Sequence, residues 1–529
     1  MKTIKFSMFA VALGVALGTQ AQETYESAKI ATEDLNGTAR YVSMGGALDA
    51  LGADLSTIRT NPAGIGLFRH STASVSFGMV SQQDAAESSY VGGTNMSFDQ
   101  AGFVYSKQSG ESSFFNVAFN FTKSRNFDYI LHAADKLDNA SQNGISYAKY
   151  YESSLYGGSR KYNTASQLDD IYYNNLFYAS GEDVAYYYPA SSYDLTRGHK
   201  GYIGEYDINF SGNIRNRIFV GLTAGIHDVH YKHSGTYLEN LVANDEEITS
   251  LTVNDERKIT GTGFDVKAGV IIRPVENSPF RFGLSVSTPT WYSLTTRNTT
   301  TVEDNFGNKD GKNEAYDFKL FTPWKFGVSL GHTIGTMVAL GAGFEFADYS
   351  TVDNRVIDGG YYDYYNDSYY NTSSEDIDMN LHTEKTLKGV CTFKLGAEVK
   401  PVPELAFRLG YNLSTAMYEE SGFKDGTIDS PASYYSSASD YTNWKATNHI
   451  TAGVGYTIDK LSIDLAYQYT NVKGDFKPFM EYDFNDTALS GKFGNFKNPV
   501  ADSVDDMFVN AVEVANKRHQ LLLTLGYHF

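Results

Sequence analysis

The sequence has a single cysteine, Cys391, so no internal disulfide framework can hold it together. Cys391 lies within an alternating segment and reads as a small strand residue. A catalytic thiol would need a histidine partner and a cleft. Proline is scarce, with 11 in 529 residues. Positive charge is also short. Lys and Arg number 43 against 62 Asp and Glu, leaving a net charge of -19, which argues against a nucleic-acid partner. Beyond the N-terminal segment no apolar run is long enough for a transmembrane helix.

What is present points to a different way of crossing a membrane. The chain opens "MKTIKFSMFAVALGVALGTQAQ". Lys2 and Lys5 precede a short apolar core from Phe6 to Leu17, and small residues lead to a predicted cleavage after Ala21. This reads as a secretory signal peptide over residues 1–21. The cleavage region lacks a cysteine, which argues against a lipid-anchored lipoprotein. The chain ends "HQLLLTLGYHF". Leu521, Leu523, Leu525, Tyr527 and Phe529 fall on one face and Leu522, Thr524, Gly526 and His528 on the other, the period of a β-strand. An apolar face ending in two aromatics suits a membrane–water interface.

The same alternation recurs from about residue 71 onward. Examples are Val75, Phe77 and Met79; Phe115, Val117, Phe119 and Phe121; Tyr206, Ile208 and Phe210; and Leu461, Ile463, Leu465 and Tyr467. The count comes to about fourteen strands. Short connections such as "NIRN", "TIGT", "PVPE" and "IDK" alternate with long polar ones. Short turns on one side and long loops on the other predict an all-β, antiparallel outer-membrane barrel over residues 71–529. Its inward face reads as mostly small, with Ala339, Gly341, Gly343, Gly453 and Gly455, and with scattered charges such as Glu345 and Lys394.

Residues 22–70 do not read as barrel. In "SMGGALDALGADLSTIRTNPAGIGLF", Gly45 and Gly46 precede a predicted short helix with Leu48, Leu51 and Leu55 on one side. Asn61-Pro62 should break any helix, and Gly64 and Gly66 allow a close-packed turn. The series Gly45-Gly46-Ala47, Ala53-Asp54-Leu55-Ser56-Thr57 and Asn61-Pro62-Ala63-Gly64 resembles that of the FadL-type outer-membrane transporters of long-chain fatty acids and aromatic hydrocarbons. "GTGFDVKAGVIIRPVENSPFRFGLSVSTPTWY" and "TPWKFGVSLG" are similar to their central strands. The resemblance implies an N-terminal hatch over residues 22–70 folded into the barrel. Gly45, Gly46, Asp54, Asn61, Pro62, Ala63 and Gly64 would then shape the gate. It also implies passive uptake of hydrophobic small molecules through an apolar lumen pocket. No cofactor or metal is expected. The expected partners are the ligand, outer-membrane lipid and the barrel-assembly machinery, which would read Leu525, Tyr527 and Phe529 in a monomeric protein. The long insertion from "SRNFDYILHAADKLDN" to "SYDLTRGHK" and the loop "GGYYDYYNDSYYN" depart from the family and leave the substrate open.

Other constellations carry less. Gly327-Val328-Ser329-Leu330-Gly331 fits the nucleophile elbow in letters, but it lies inside an alternating strand, and catalysis is not expected. "HDVHYKH" places His227, Tyr231 and His233 on one strand face and His230 on the other, leaving open a haem receptor. A general porin, which should show rings of lumen charge, and a surface-attachment or secretion-system barrel also remain open. The Tyr-rich loop reads either as a surface that stacks on sugars or holds apolar ligands, or as a solvated loop.

Overall fold

The computed structural model describes residues 23–529 apart from 139, 156–164, 176–186, 244–245, 366, 427, 429 and 481–508. The predicted signal peptide therefore lies outside the described residues. A closed antiparallel barrel of fourteen staves surrounds the N-terminal segment. The first staves are β1 (Thr72–Gln82), β2 (Thr94–Gly110) and β3 (Ser113–Asn126) continued by β4 (Tyr129–Lys136). β5 (Ala190–Ile214), β6 (Ile218–Ala243) and β7 (Glu246–Ile272) follow. The next staves are each made of two segments. They are β8 (Arg281–Ser287) with β9 (Trp291–Asp304), β10 (Lys309–Phe321) with β11 (Lys325–Ile334), β12 (Val338–Asp348) with β13 (Asp353–Asp363), and β14 (Ser368–Glu375) with β15 (Gly389–Val402). β16 (Leu405–Ser414), β17 (Tyr441–Trp444) with β18 (Thr447–Ile458), β19 (Leu461–Lys477) and β20 (Val512–His528) complete the wall. Closure comes from β20, which pairs with β19 on one side and β1 on the other, Thr72 opposite His528.

The alternation sets the two faces. Phe77, Phe119, Ile208, Leu222, Phe326, Leu409, Leu465 and Leu523 stand exposed on the outside. An apolar belt this extensive around a closed barrel is a lipid-facing surface, and the protein is an outer-membrane barrel. Leu525, Tyr527 and Phe529 lie on that outer face, with the two rings 5.1 Å apart. β2 changes phase within the belt. A bulge places Asp99 and Gln100 both inward, so Met96 and Phe98 face outward before it and Phe103 and Tyr105 after it.

The polar stretches read as loops are partly strand. β6 and β7 run 26 and 27 residues and pair well beyond the apolar belt, with His233 opposite Arg257 and Tyr237 opposite Val253. Thr, Val and Tyr at alternate positions suit a pleated ribbon, and the ladder satisfies the backbone without a core on both faces. The Tyr-rich segment is likewise a hairpin of β13 and β14, with Tyr361 opposite Tyr370. Over it all, α3 (Gln142–Leu155) and α4 (Gln167–Asn175) form a small cap from the long insertion.

Residues 23–68 run down the barrel interior as α1 (Thr24–Ala31), α2 (Ala39–Ser43) and two short 3-10 helices, Leu55–Ile58 and Pro62–Leu67. The predicted helix carrying Leu48, Leu51 and Leu55 is not there. Residues 44–51 form consecutive turns instead. Gly52 and Ala53, inside the predicted span, adopt φ +61° and +53°, left-handed values that an α-helix cannot contain, and Gly45 and Gly46 before it do the same at +62° and +78°. At the loop end α1 meets α5 (Ile377–Thr386), where the Thr24 hydroxyl lies 2.8 Å from His382 Nδ1.

Candidate functional site: the plug and the lumen cavity

The Asn61–Gly64 turn is built from local rules. Asn61 is extended and caps the 3-10 helix Pro62–Leu67, its side-chain oxygen accepting from Ala63 N at 3.2 Å. Pro62 starts the helix, where its missing N–H costs nothing. Gly64 N donates to Asn61 O, and a Cβ on Gly64 would strike the Thr57 side chain. Asp54 caps the preceding turn. It accepts from Ser56 N at 2.9 Å and from the Thr38 hydroxyl at 2.8 Å. Ala63 is fully buried.

The wall makes room for this backbone. Gly221 and Gly269 are paired across β6 and β7, and a Cβ on either would collide with Asn61 or Pro62. A second row runs straight across four staves, with Gly331 opposite Gly341, Gly341 opposite Gly396, and Gly396 opposite Gly410. A Cβ on these four residues would meet Leu51, the Ala47 carbonyl, the Met44 carbonyl and Gly45 N respectively. Asn412 donates to Gly45 O at 3.1 Å and Thr451 to Ser43 O at 3.1 Å. The predicted gate residues Gly45 and Gly46 therefore sit on one wall, and Asn61 to Gly64 about a different pair of staves. Asp54 lies between them, bonded within the plug.

Charge clasps the plug. Arg59 pairs with Glu33 and with Glu205 of β5, each at 2.7 Å, while Lys325 of β11 also reaches Glu33. Lys267 continues the chain to Glu205 and Asp265, each at 2.7 Å. Asp34 meets Arg125 at 2.7 Å and Arg518 at 3.7 Å. Asp49 meets Lys394 at 3.3 Å, and Arg40 meets Glu398 at 3.3 Å. Burial works to raise the Glu33 carboxyl, but Lys325 and Arg59 overcome it and hold it well below the usual carboxylate range. Burial likewise opposes Glu26, which Lys29 and Arg257 hold low.

A lumen of small residues with scattered charges therefore describes the glycine rows and not the rest. Glu205, Asp207, Asp265, Lys267, Glu398 and Arg408 are all buried inside. Their inward parity is legible in the sequence, but their partners are distant in the chain. Arg59, Glu33 and Asp34 were not singled out by motif at all.

Between α1 and the upper wall lies a cavity of about 310 Å³. Tyr129, Trp444, Tyr418 and Met417 line it, together with Arg125, Arg518 and His449. The expected apolar pocket is thus a mixed one, because the plug brings Glu26, Lys29, Glu33 and Asp34 to its edge. Of its aromatic lining only Tyr231, in the histidine stretch, stands out in the sequence.

The histidine stretch divides as its parity requires. His227 and His233 are buried and face inward, and His230 faces out beside Asp228. The inward pair does not converge. His227 binds Asp265 at 3.0 Å and His233 binds Asp255 at 2.6 Å. Glu205, His227 and Asp265 offer ligand atoms within 4.8 Å of one another. The Lys267 ammonium already bridges the two carboxylates, filling the place a cation would take. Ser329 sits mid-strand in β11, facing inward, with none of the strand-to-helix turn of a nucleophile elbow.

No known family model matches the sequence, and no curated protein matches it. In three dimensions the chain is similar to the deltaS2 mutant of the TodX monoaromatic hydrocarbon channel. The TM-score is 0.50 at 11% identity, covering 94% of this chain and 100% of that one. It is also similar to the Ralstonia pickettii toluene transporter TbuX, with a TM-score of 0.47 at 12% identity over 94% of this chain and 99% of that one. A Pseudomonas aeruginosa FadL homologue gives 0.47 at 11% identity over 94% and 100%. The first of these likenesses establishes a shared fold.

Proposed function

We propose that this protein is a FadL-type outer-membrane channel for passive uptake of hydrophobic small molecules, long-chain fatty acids among them. One observation carries the reading. A plug clasped by ion pairs and seated on glycine rows closes a fourteen-staved barrel beneath an aromatic-walled cavity. A ligand gathered by the outer loops enters that cavity, and a shift of the plug opens the way on. Gly45, Gly46, Asp54, Asn61, Pro62, Ala63 and Gly64 act as the gate because they set the plug's shape and its seat. No energy source is needed, since the gradient and downstream capture drive flux. The same reading makes residues 1–21 the signal peptide, residues 22–70 the hatch and residues 71–529 the barrel. It makes Leu525, Tyr527 and Phe529 the signal read by the assembly machinery, for a monomer surrounded by lipid.

Deletion of residues 24–66 tests it. The wall pairs strand to strand without the plug, so the barrel should still fold, migrating differently on gels before and after boiling. Passage should change. Either small polar solutes leak in, or uptake of labelled oleate and toluene falls, with surface expression confirmed. Unchanged passage would make the segment a passive leader and end the hatch reading.

A further inference from the structure

The wall of the lumen cavity contains a hydrogen-bond relay whose direction can be worked out. Arg197 binds Asp255 Oδ1 at 3.0 Å and holds both oxygens of Asp440 at 2.7 Å. Asp255 is thus an ionised acceptor, and His233 Nε2, 2.6 Å from its other oxygen, donates to it. A neutral His233 then has a bare Nδ1, which lies 2.9 Å from the Tyr231 hydroxyl. Tyr231 gives its only proton there. Its oxygen accepts from Lys29 Nζ at 3.0 Å and, at 2.9 Å, from His199 Nδ1. His199 is neutral with its proton on Nδ1, so its Nε2 carries a lone pair.

That nitrogen has no partner among the described residues, and His199 lines the cavity. Burial, then Lys29 and His233, keep the His199 ring well below its ordinary pKa, consistent with the neutral form. Burial outweighs Asp255 at His233 and holds it neutral too. The surroundings are flat and aromatic. His199 stacks on Tyr129 at 5.8 Å and 14°, and Tyr129 meets Trp444 edge-on at 5.8 Å.

We propose that His199 Nε2 is the acceptor for a ligand hydroxyl, so that this cavity takes hydroxylated aromatic molecules in preference to the bare hydrocarbon. The inference rests on the channel reading and narrows its substrate class. A hydrocarbon has no proton to offer and leaves the lone pair desolvated and unmet. An ionised carboxylate also has no proton and brings a second lone pair against the first. A phenol lays its ring along Tyr129 and Trp444 and donates to His199. A metal ion is the other guest a bare imidazole nitrogen takes. Among the described residues the only set of three ligating groups close enough to share an ion is Glu205, His227 and Asp265, which does not include His199.

p-Cresol and p-xylene have the same shape and differ by a hydroxyl in place of a methyl. Binding of each to the purified full-length protein in detergent is followed by calorimetry. The native protein should prefer p-cresol by roughly three- to tenfold, the worth of one net hydrogen bond. His199→Phe keeps the stack on Tyr129 and should erase that preference while still binding p-xylene. Tyr231→Phe removes the group that fixes the tautomer and should lower the preference without abolishing p-xylene binding. If His199→Phe does not fold, as judged by heat-modifiable gel mobility, the Tyr231→Phe result decides. Equal binding of the two ligands by native protein, or a preference undiminished in the deciding variant, overturns the inference and leaves the channel reading standing. Binding of neither ligand also overturns the inference, and the channel reading then stands or falls on the oleate and toluene uptake measurement.

Discussion

The carbonyl of Ala47 lies against Gly341 so closely that a Cβ on Gly341 would occupy the oxygen's place. Two backbones are in van der Waals contact there, one from the plug and one from the wall. Nothing beside them can move aside, since Gly331 and Gly396 press on Leu51 and Met44 in the same way.

Gly341→Val should therefore unseat the plug while leaving the barrel assembled. The overpacking cost is about 1–3 kcal/mol, borne by the plug's contact. Ala342→Val, one residue along and facing lipid, is the control. The check is entry of small polar antibiotics into cells with equal surface amounts of each variant. Equal sensitivity would show that the contact is not what holds the plug.

Leu523 and Thr524 are neighbours on opposite faces. Leu523→Arg should hinder insertion by about 2–4 kcal/mol if it lies near the bilayer midplane. Thr524 points inward, but its site is not open. Its hydroxyl accepts from Ala39 N at 2.7 Å and meets Ser76 at 2.7 Å. Thr524→Arg should insert normally and then leak, because the arginine displaces α2. Folding yield in lipid vesicles and solute entry separate the two effects.

The Arg59–Glu205 pair is buried at both ends. Arg59→Met takes one of two cations from Glu33 and from Glu205, leaving Lys325 and Lys267, and should destabilise the plug by about 1–3 kcal/mol. Arg59→Met combined with Glu205→Gln should recover part of that. Protease cleavage within residues 23–68, compared at matched barrel content, measures it. No recovery in the double variant would mean that packing holds the plug there and charge does not.

Glu239, near the top of β6, anchors the cap. It accepts from Gln142 N at 2.8 Å and from the Tyr237 hydroxyl at 2.9 Å. Burial pushes its carboxyl up to about 7 against those bonds. With a folded pKa above the unfolded one, its contribution is fully present below the ordinary carboxylate range. It is lost as pH rises through about 7. The cap should loosen by up to about 3 kcal/mol between pH 4 and pH 8. Amide exchange over residues 142–148, corrected for intrinsic rates, should speed up across that window. Glu239→Gln should remove the dependence.

The sequence by itself determined the barrel. Period-two alternation is local, so Phe77, Leu222, Leu409 and Leu523 could be assigned to lipid one strand at a time, and the Asn61–Gly64 turn follows from capping and proline rules. It also marked which residues were inward, including His227 and His233. Tertiary structure alone decided what those inward residues meet. Gly331, Gly341, Gly396 and Gly410 form a row only once four strands are in register. Arg59 finds Glu205, and Asp49 finds Lys394, from far apart in the chain, because closure of the wall brings them around one axis. The same closure points His199, Tyr129 and Trp444 into one cavity. Alternation specifies a face, but not the depth or angle at which a face meets a plug. Those depend on register and barrel closure, which no local stretch of chain encodes.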